Sequence, residues 1–233
     1  MPPTSTTDTA ALNTLRPTAA PNRPRGIWLR FGAAIYDPFV ALGERRGMHE
    51  RRRRLLGRAR GRVLEIGAGT GLNLAHYPDE LEELVLSEPS EPMARRLESR
   101  LDRSDVRGSV LRAGAEALPV ATDSIDTVVS TLVLCTVPDP EAALEEIRRV
   151  LRPGGRLVFC EHVRSDSNRL ARWQQRLAGP WKAFAAGCRC NQETLGLIER
   201  ALHITRLERE EWRGMPGLVR PLIVGEATVD TSP

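Results

Sequence analysis

The sequence predicts an α/β fold: a doubly wound, mostly parallel sheet of seven strands, closed by a C-terminal antiparallel hairpin. Three observations carry this. Five short apolar runs alternate with helical stretches, the pattern of right-handed crossover units on a parallel sheet. The first run, Val63-Leu64-Glu65-Ile66, passes directly into the glycine-rich turn Gly67-Ala68-Gly69-Thr70-Gly71. The last two strand candidates have no helix between them, so they should pair with each other at the sheet edge.

Each element has its own signal. Residues 1–26 hold Pro2, Pro3, Pro17, Pro21 and Pro24 among Thr, Ser and Ala, a composition that cannot bury a core and reads as a flexible tail. The folded domain is expected over 27–233, opening with an N-terminal helical lid over 27–60. Its apolar residues recur with helical spacing and break at Asp37-Pro38. A helical stretch closed by His76 and Tyr77 is expected behind the glycine turn. Residues 83–87 form the second strand candidate, with a helix over 93–103 behind it, and 109–112 the third. Residues 126–133, rich in Thr and Val, form the fourth. Residues 141–151 are an amphipathic helix stopped by Pro153-Gly154-Gly155, and 156–161 are the fifth strand. Helices are expected over 170–186 and 192–202. Strands over 204–212 and 222–228, joined by Arg213-Gly214-Met215-Pro216-Gly217, make the hairpin.

Composition bounds the function. The chain has 233 residues and 25.8 kDa, 41% hydrophobic and 27% charged, which suits one globular domain and excludes a disordered or collagen-like chain. Mean hydropathy is −0.31, and the longest nearly uncharged stretch, 127–137, is far shorter than the roughly 18 apolar residues of a membrane span. No basic, apolar, small-residue leader opens the chain, so a cytoplasmic protein is expected. The net charge is +4 with a pI near 9.2. Of the 34 basic residues, only Lys182 is lysine. The run of Arg45, Arg46, Arg51, Arg52, Arg53, Arg54, Arg58 and Arg60 reads as a solvated helix face and leaves room for peripheral membrane contact. No aromatic residues interleave with it, so nucleic acid is not an expected partner. The four cysteines are Cys135, Cys160, Cys188 and Cys190. Cysteine and His162 can be drawn as a zinc set, but Cys188-x-Cys190 is tighter than structural zinc spacing and has no second pair. Reduced, buried thiols and no metal are expected.

The chemistry starts at the glycine turn. Glycines after a strand admit positive φ and let a ligand approach the backbone. Leu72 stands where a dinucleotide fingerprint needs a sixth-position glycine or alanine, so a nicotinamide dinucleotide is disfavoured. Glu88 lies just past the second strand, where a carboxylate can accept hydrogen bonds from ribose hydroxyls. Gly114-Ala115-Glu116-Ala117-Leu118-Pro119 follows the third strand, Ser124-Ile125-Asp126 precedes the fourth, and Leu151-Arg152-Pro153-Gly154-Gly155 precedes the fifth.

In this order and spacing, these segments resemble the class I S-adenosylmethionine-dependent methyltransferases, which have a Rossmann-like fold with a closing antiparallel strand. The resemblance implies S-adenosylmethionine as cofactor. It places Glu65, Gly67, Ala68, Gly69, Gly71 and Asn73 around the methionine part, and Glu88 on the ribose with Pro89 and Met93 beside the adenosine. Ala115, Glu116 and Ala117 would border the adenine, Thr131 and Leu132 the sulfonium, with Tyr36 covering the site. Many relatives carry Asp where Gly114 stands, so backbone or Glu116 would meet the adenine amino group here. Thr131-Leu132-Val133-Leu134-Cys135, Glu161-His162-Val163, Trp173-Gln174-Gln175 and Gly187-Cys188 resemble the animal methyltransferase-like group that methylates alkyl thiols. Tyr36-Asp37-Pro38 resembles bacterial methyltransferases acting on phosphatidylethanolamine or quinone precursors. A small, largely apolar acceptor follows, with a thiol favoured and a phenol, quinone precursor, natural product or lipid head group as alternatives. A non-catalytic binding module is the competing class. His162, after the fifth strand, is the candidate to assist deprotonation. Glu161 either orients it or braces a neighbouring element. Trp173, Trp181 and Phe184 are expected in the core or the acceptor wall.

Overall fold

The computed structural model describes residues 36–229 apart from residue 186. The tail over 1–26 and the first part of the 27–60 segment lie outside the described residues. The middle layer is a seven-stranded sheet of order β3-β2-β1-β4-β5-β7-β6. Strands β1 (Arg62–Ile66), β2 (Glu83–Ser87), β3 (Ser109–Leu111), β4 (Ile125–Thr131) and β5 (Leu151–His162) run parallel. Strand β7 (Pro221–Thr228) lies antiparallel against β5, and β6 (His203–Glu211) pairs antiparallel with β7 on the outer edge. The expected hairpin forms, and its second strand, not its first, joins the parallel set.

This order puts β1 beside β4 while the chain winds from β1 toward β3 on one side and from β4 toward β5 on the other. The crevice where the winding reverses, at the carboxyl ends of the strands, is where open α/β sheets bind ligands. Both strand-end loops that matter, Gly67–Gly71 after β1 and Leu132–Cys135 after β4, open there.

The sheet is buried on both faces. Along β5, Leu157 and Phe159 join one apolar cluster while Val158 and Cys160 join another, the period-two alternation of a two-sided strand. On the first face, α4 (Pro140–Val150) and α6 (Thr194–Ala201) bring Leu144, Ile147 and Ile198. Helix α4 starts where it does because Asp139 accepts from the amides of Glu141 and Ala142 and Pro140 takes the first turn. On the second face, α2 (His49–Leu56) and the loops around α5 (Asn168–Phe184) contribute Leu55, Cys188 and Cys190. Helix α3 (Glu91–Leu101) packs Leu97 over Leu84 and Leu86.

Three elements differ from expectation. Strand β5 begins at Leu151, not 156, so Pro153-Gly154-Gly155 lies within the strand, directly after α4 ends at Val150. Asp37 and Pro38 are helical, inside α1 (residues 36–43), and the break falls at Gly47. Its φ of 120° is a conformation that glycine adopts at no steric cost. The stretch behind the glycine turn is a single 3₁₀ turn, Leu74–His76, not a helix. Pro78 disfavours helical backbone at the residue before it, and Tyr77 is extended with ψ 145°.

Candidate active site

A cavity of about 320 Å³ opens at the carboxyl edge of β1, β2, β4 and β5. Gly67 and Gly69 line it from the turn, with φ of 57° and 59°. A Cβ on Gly67 would stand 2.7 Å from Val133, and one on Gly71 would stand 2.8 Å from Leu97, so these two glycines serve close packing. At Gly69 the nearest atom to such a Cβ is the Gly67 carbonyl at 3.9 Å, which leaves its backbone open to a ligand. Glu88 also lines the cavity; its carboxylate accepts from the Gly69 amide at 2.9 Å and the Ser90 amide at 2.7 Å. The carboxylate at the end of β2 is thereby tied to the turn itself. Glu116 faces the same end and presents Oε1 buried with no hydrogen-bond partner. A buried orphan acceptor is costly unless a ligand donor meets it, so this end of the cavity fits a nucleoside amino group.

Beneath the turn lies a buried polar network. Glu65 accepts from Asn73 Nδ2 at 2.8 Å and from the Tyr77 hydroxyl at 2.7 Å. Asn73 Oδ1 accepts from Arg52 at 2.6 Å, and Arg52 forks onto Glu44 at 2.9 Å. Burial outweighs these bonds and holds the Glu65 carboxyl above its ordinary range. Asp37 accepts from the Thr70 hydroxyl at 2.6 Å and from Arg100 at 2.7 Å, which fastens α1 to the glycine turn and to α3.

At the β4 end, Leu132 has φ 59°, an uncommon conformation for a branched residue and one that gathers at functional sites. Glu161 is fully buried and its Oε1 accepts from Ser130 Oγ at 2.7 Å and Val133 N at 3.0 Å, on either side of Leu132. Glu161 therefore braces this loop. Burial pushes its carboxyl up to about 7.

The far end of the cavity is walled by Phe39, Val40, Trp181, Phe184, Trp212 and Met215, and three soft ligands converge within it: Cys135, His162 and Cys188. His162 Nε2 lies 2.9 Å from Cys188 Sγ, and the Trp181 indole N–H donates to the same sulfur at 3.2 Å. A hydrogen bond from Cys135, joined by those from His162 and Trp181, pulls the Cys188 thiol down to about 4, while its own bond to Cys188 and burial push Cys135 well above the ordinary thiol range. On the wall above, burial raises the Tyr36 phenol to about 12.

Of the residues singled out in the sequence, Tyr36, Gly67, Gly69, Glu88, Pro89, Met93, Ala115, Glu116, Leu132 and His162 line this one cavity. Glu65, Ala68, Gly71, Asn73, Ala117 and Thr131 do not. Glu65, Asn73 and Thr131 sit behind the turn in one hydrogen-bonded chain, since Asn73 also donates to Thr131 Oγ1 at 3.2 Å. Tyr77 and His76 stand away from the cavity; Tyr77 belongs to the Glu65 network and His76 packs edge-on against His49. Trp181 and Phe184 form wall, but Trp173 is neither core nor wall: it is 49% exposed on α5. Cys190 turns away, its thiol donating to the Gln174 carbonyl at 3.6 Å. Cys135 and Cys188, Arg52 and Asp37 carry roles that spacing does not reveal. Arg51, Arg54 and Arg58 pair with Glu208, Glu210 and Glu226 on β6 and β7, so much of the arginine run is neutralised within the fold.

Known proteins resemble this chain in sequence and in fold. A family model described as a methyltransferase domain matches residues 64–159. The chain is 36% identical to human thiol S-methyltransferase TMT1B over 173 residues, covering 71% of this chain and 69% of that protein. It is 34% identical over 119 residues to the phosphatidylethanolamine N-methyltransferase of Cereibacter sphaeroides, covering 51% of this chain and 59% of that one. A solved Thermotoga maritima structure, a SAM-dependent methyltransferase and possible histamine N-methyltransferase, aligns with a TM-score of 0.62 at 24% identity, over 87% of this chain and 99% of that one. That last likeness is one of fold.

Proposed function

The chain belongs to the class I S-adenosylmethionine-dependent methyltransferases, and from that premise we propose that it methylates the sulfur of a small, largely apolar thiol. The observation that carries this reading is the placement of Cys135, His162 and Cys188 at the apolar end of the cavity, opposite the glycine turn and Glu88. The identity with thiol S-methyltransferases supports it.

S-adenosylmethionine, the cofactor, supplies a methyl group already activated on a sulfonium. The chain then has three tasks. Gly69 and Glu88 offer open backbone and a carboxylate for the nucleoside half, with Glu116 at its amino group. Leu132, fixed at positive φ, stands between the two ends of the cavity and sets how close the acceptor comes. Reacting atoms must be held about 3 to 3.5 Å apart and aligned, and such positioning lowers the barrier substantially. Finally, the thiol proton must leave, because the thiolate is the nucleophile. Held by Gly69 and Glu88, the cofactor would supply the methyl group to the acceptor sulfur, and the thiol proton would leave at the His162 end of the cavity. The aromatic wall keeps water from that sulfur.

The four cysteines are free and buried among the described residues, which fits a reducing, cytoplasmic setting. No described helix is long and apolar enough to cross a membrane. The test is turnover on a panel of alkyl and aryl thiols, phenols, amines and lipid head groups, followed by mass spectrometry of the products. Thioether formation on apolar thiols, above every oxygen and nitrogen acceptor, is expected; turnover on a lipid amine with none on any thiol would overturn the assignment.

A further inference from the structure

Cys135, His162 and Cys188 come from three separate elements: the loop after β4, the end of β5 and the loop after α5. Their ligand atoms nonetheless lie within 4.8 Å of one another, and the residues are 1%, 2% and 8% exposed. Two sulfurs and an imidazole nitrogen are the donor set that soft and borderline divalent cations prefer. All three also line the cavity. A catalytic zinc site has this form: three protein ligands and a fourth position left to water or substrate.

We propose that Cys135, His162 and Cys188 bind a zinc-class divalent cation whose open fourth position takes the sulfur of the acceptor thiol. The inference rests on the thiol reading above and specifies how the thiol is activated. Two thiolates and a neutral imidazole balance a doubly charged ion, so the centre is uncharged where it is buried. Tetrahedral zinc at ordinary bond lengths puts its nitrogen and sulfur ligands about 3.5 Å apart. The His162 to Cys188 separation of 2.9 Å therefore opens by about 0.6 Å when the ion enters. The ring's other nitrogen, Nδ1, makes no hydrogen bond among the described residues, so no such bond opposes that shift. The Trp181 N–H on Cys188 Sγ is the kind of outer hydrogen bond that orients a thiolate ligand. Coordination displaces the acceptor proton to solvent and leaves the sulfur as a metal-bound thiolate. Methyl transfer converts it to a neutral thioether, a weak ligand, which leaves the fourth position free again.

The test uses the full chain, incubated with zinc(II), freed of excess and assayed by elemental analysis. About one ion per chain is expected. Cys135→Ser, Cys188→Ser and His162→Ala should each lose it, while Cys160→Ser and Cys190→Ser, equally free thiols outside the cluster, should keep it. Binding of S-adenosylhomocysteine checks that each variant is folded. If a variant fails that check, cobalt(II) in the unaltered protein decides: a thiolate-to-cobalt charge-transfer band is expected, with tetrahedral ligand-field bands that shift on adding an alkanethiol. Zinc at background level and no cobalt band would overturn the site, and bands blind to the thiol would overturn the open fourth position. Thiol methylation by protein that binds no metal would leave the methylation reading intact. One bound ion with no turnover on any thiol would reject that reading instead.

Discussion

Glu161 holds the backbone on both sides of Leu132 with one carboxylate oxygen. Its Oε1 accepts from Ser130 Oγ and Val133 N, the residues two before and one after, and so traps Leu132 at φ 59° on the cavity wall. Removing the carboxylate orphans two buried donors. Glu161→Ala should therefore cost about 2 to 4 kcal/mol in chemical denaturation. It should also lower turnover more than cofactor affinity, because the released loop moves the acceptor end and leaves Gly69 in place. A variant with unchanged stability would mean that Ser130 and Val133 find other partners.

Glu88 is the residue on which cofactor affinity should depend most. If it exchanges its present bonds to the Gly69 and Ser90 amides for ribose hydroxyls, Glu88→Ala should weaken binding by about 1.5 to 3 kcal/mol, roughly 10- to 150-fold in Kd. Calorimetry with S-adenosylmethionine and S-adenosylhomocysteine measures this directly. Unchanged affinity for both would take Glu88 out of the cofactor site.

The strands and the glycine turn were legible because their signals are local: period-two or continuous apolar runs, glycines at fixed offsets, a proline-glycine stop. The order of the last two strands was not, since a hairpin reads the same whichever strand joins the sheet. The acceptor end was less legible still. Cys135 and Cys188 are apposed only because α5 carries the chain back over the end of β5, and nothing in the Cys188-x-Cys190 spacing encodes that. Arg52 sits in the run Arg51-Arg52-Arg53-Arg54, where composition cannot tell the buried Arg52 and the largely covered Arg51 from Arg53 and Arg54 at the surface.

That distinction is measurable. Arg52 is 5% exposed and bonded to Glu44 and Asn73, whereas Arg53 is 67% exposed and, among the described residues, pairs with Glu50 within its own helix. Arg52→Ala should cost about 2 to 4 kcal/mol, because it strands Glu44 and Asn73 beneath the glycine turn. Arg53→Ala should stay within about 0.5 kcal/mol. Equal losses would mean that the run acts only as a helical surface.

Glu65 gives a pH dependence with a definite sign. Burial raises its carboxyl above the ordinary 4.5, so the folded chain holds this proton more tightly than the unfolded chain does. Its contribution to stability is full below 4.5 and is lost as pH rises through the raised folded value. Stability measured by urea across mildly acidic to neutral pH should carry a falling component that Glu65→Gln removes. An unchanged slope in that variant would show that the bonds from Asn73 and Tyr77 outweigh burial.

His162 should separate chemistry from binding. It is 2% exposed, faces the acceptor end and lies away from Gly69 and Glu88, which hold the other end of the cavity. His162→Ala should lower kcat on a thiol by about 10² or more with cofactor Kd unchanged. If His162 assists deprotonation, the loss on a thiol should shrink as pH rises past the thiol pKa of about 8.5. A loss equal at all pH values would mean that His162 only positions the acceptor. Trp181→Phe offers the complementary case: it keeps an aromatic wall and deletes the N–H that reaches Cys188 at 3.2 Å. If the donor matters to catalysis, kcat falls while KM for bulky apolar thiols barely moves. If Trp181 is only wall, both stay near their starting values, and the sulfur cluster owes its activity to His162 and Cys135 alone.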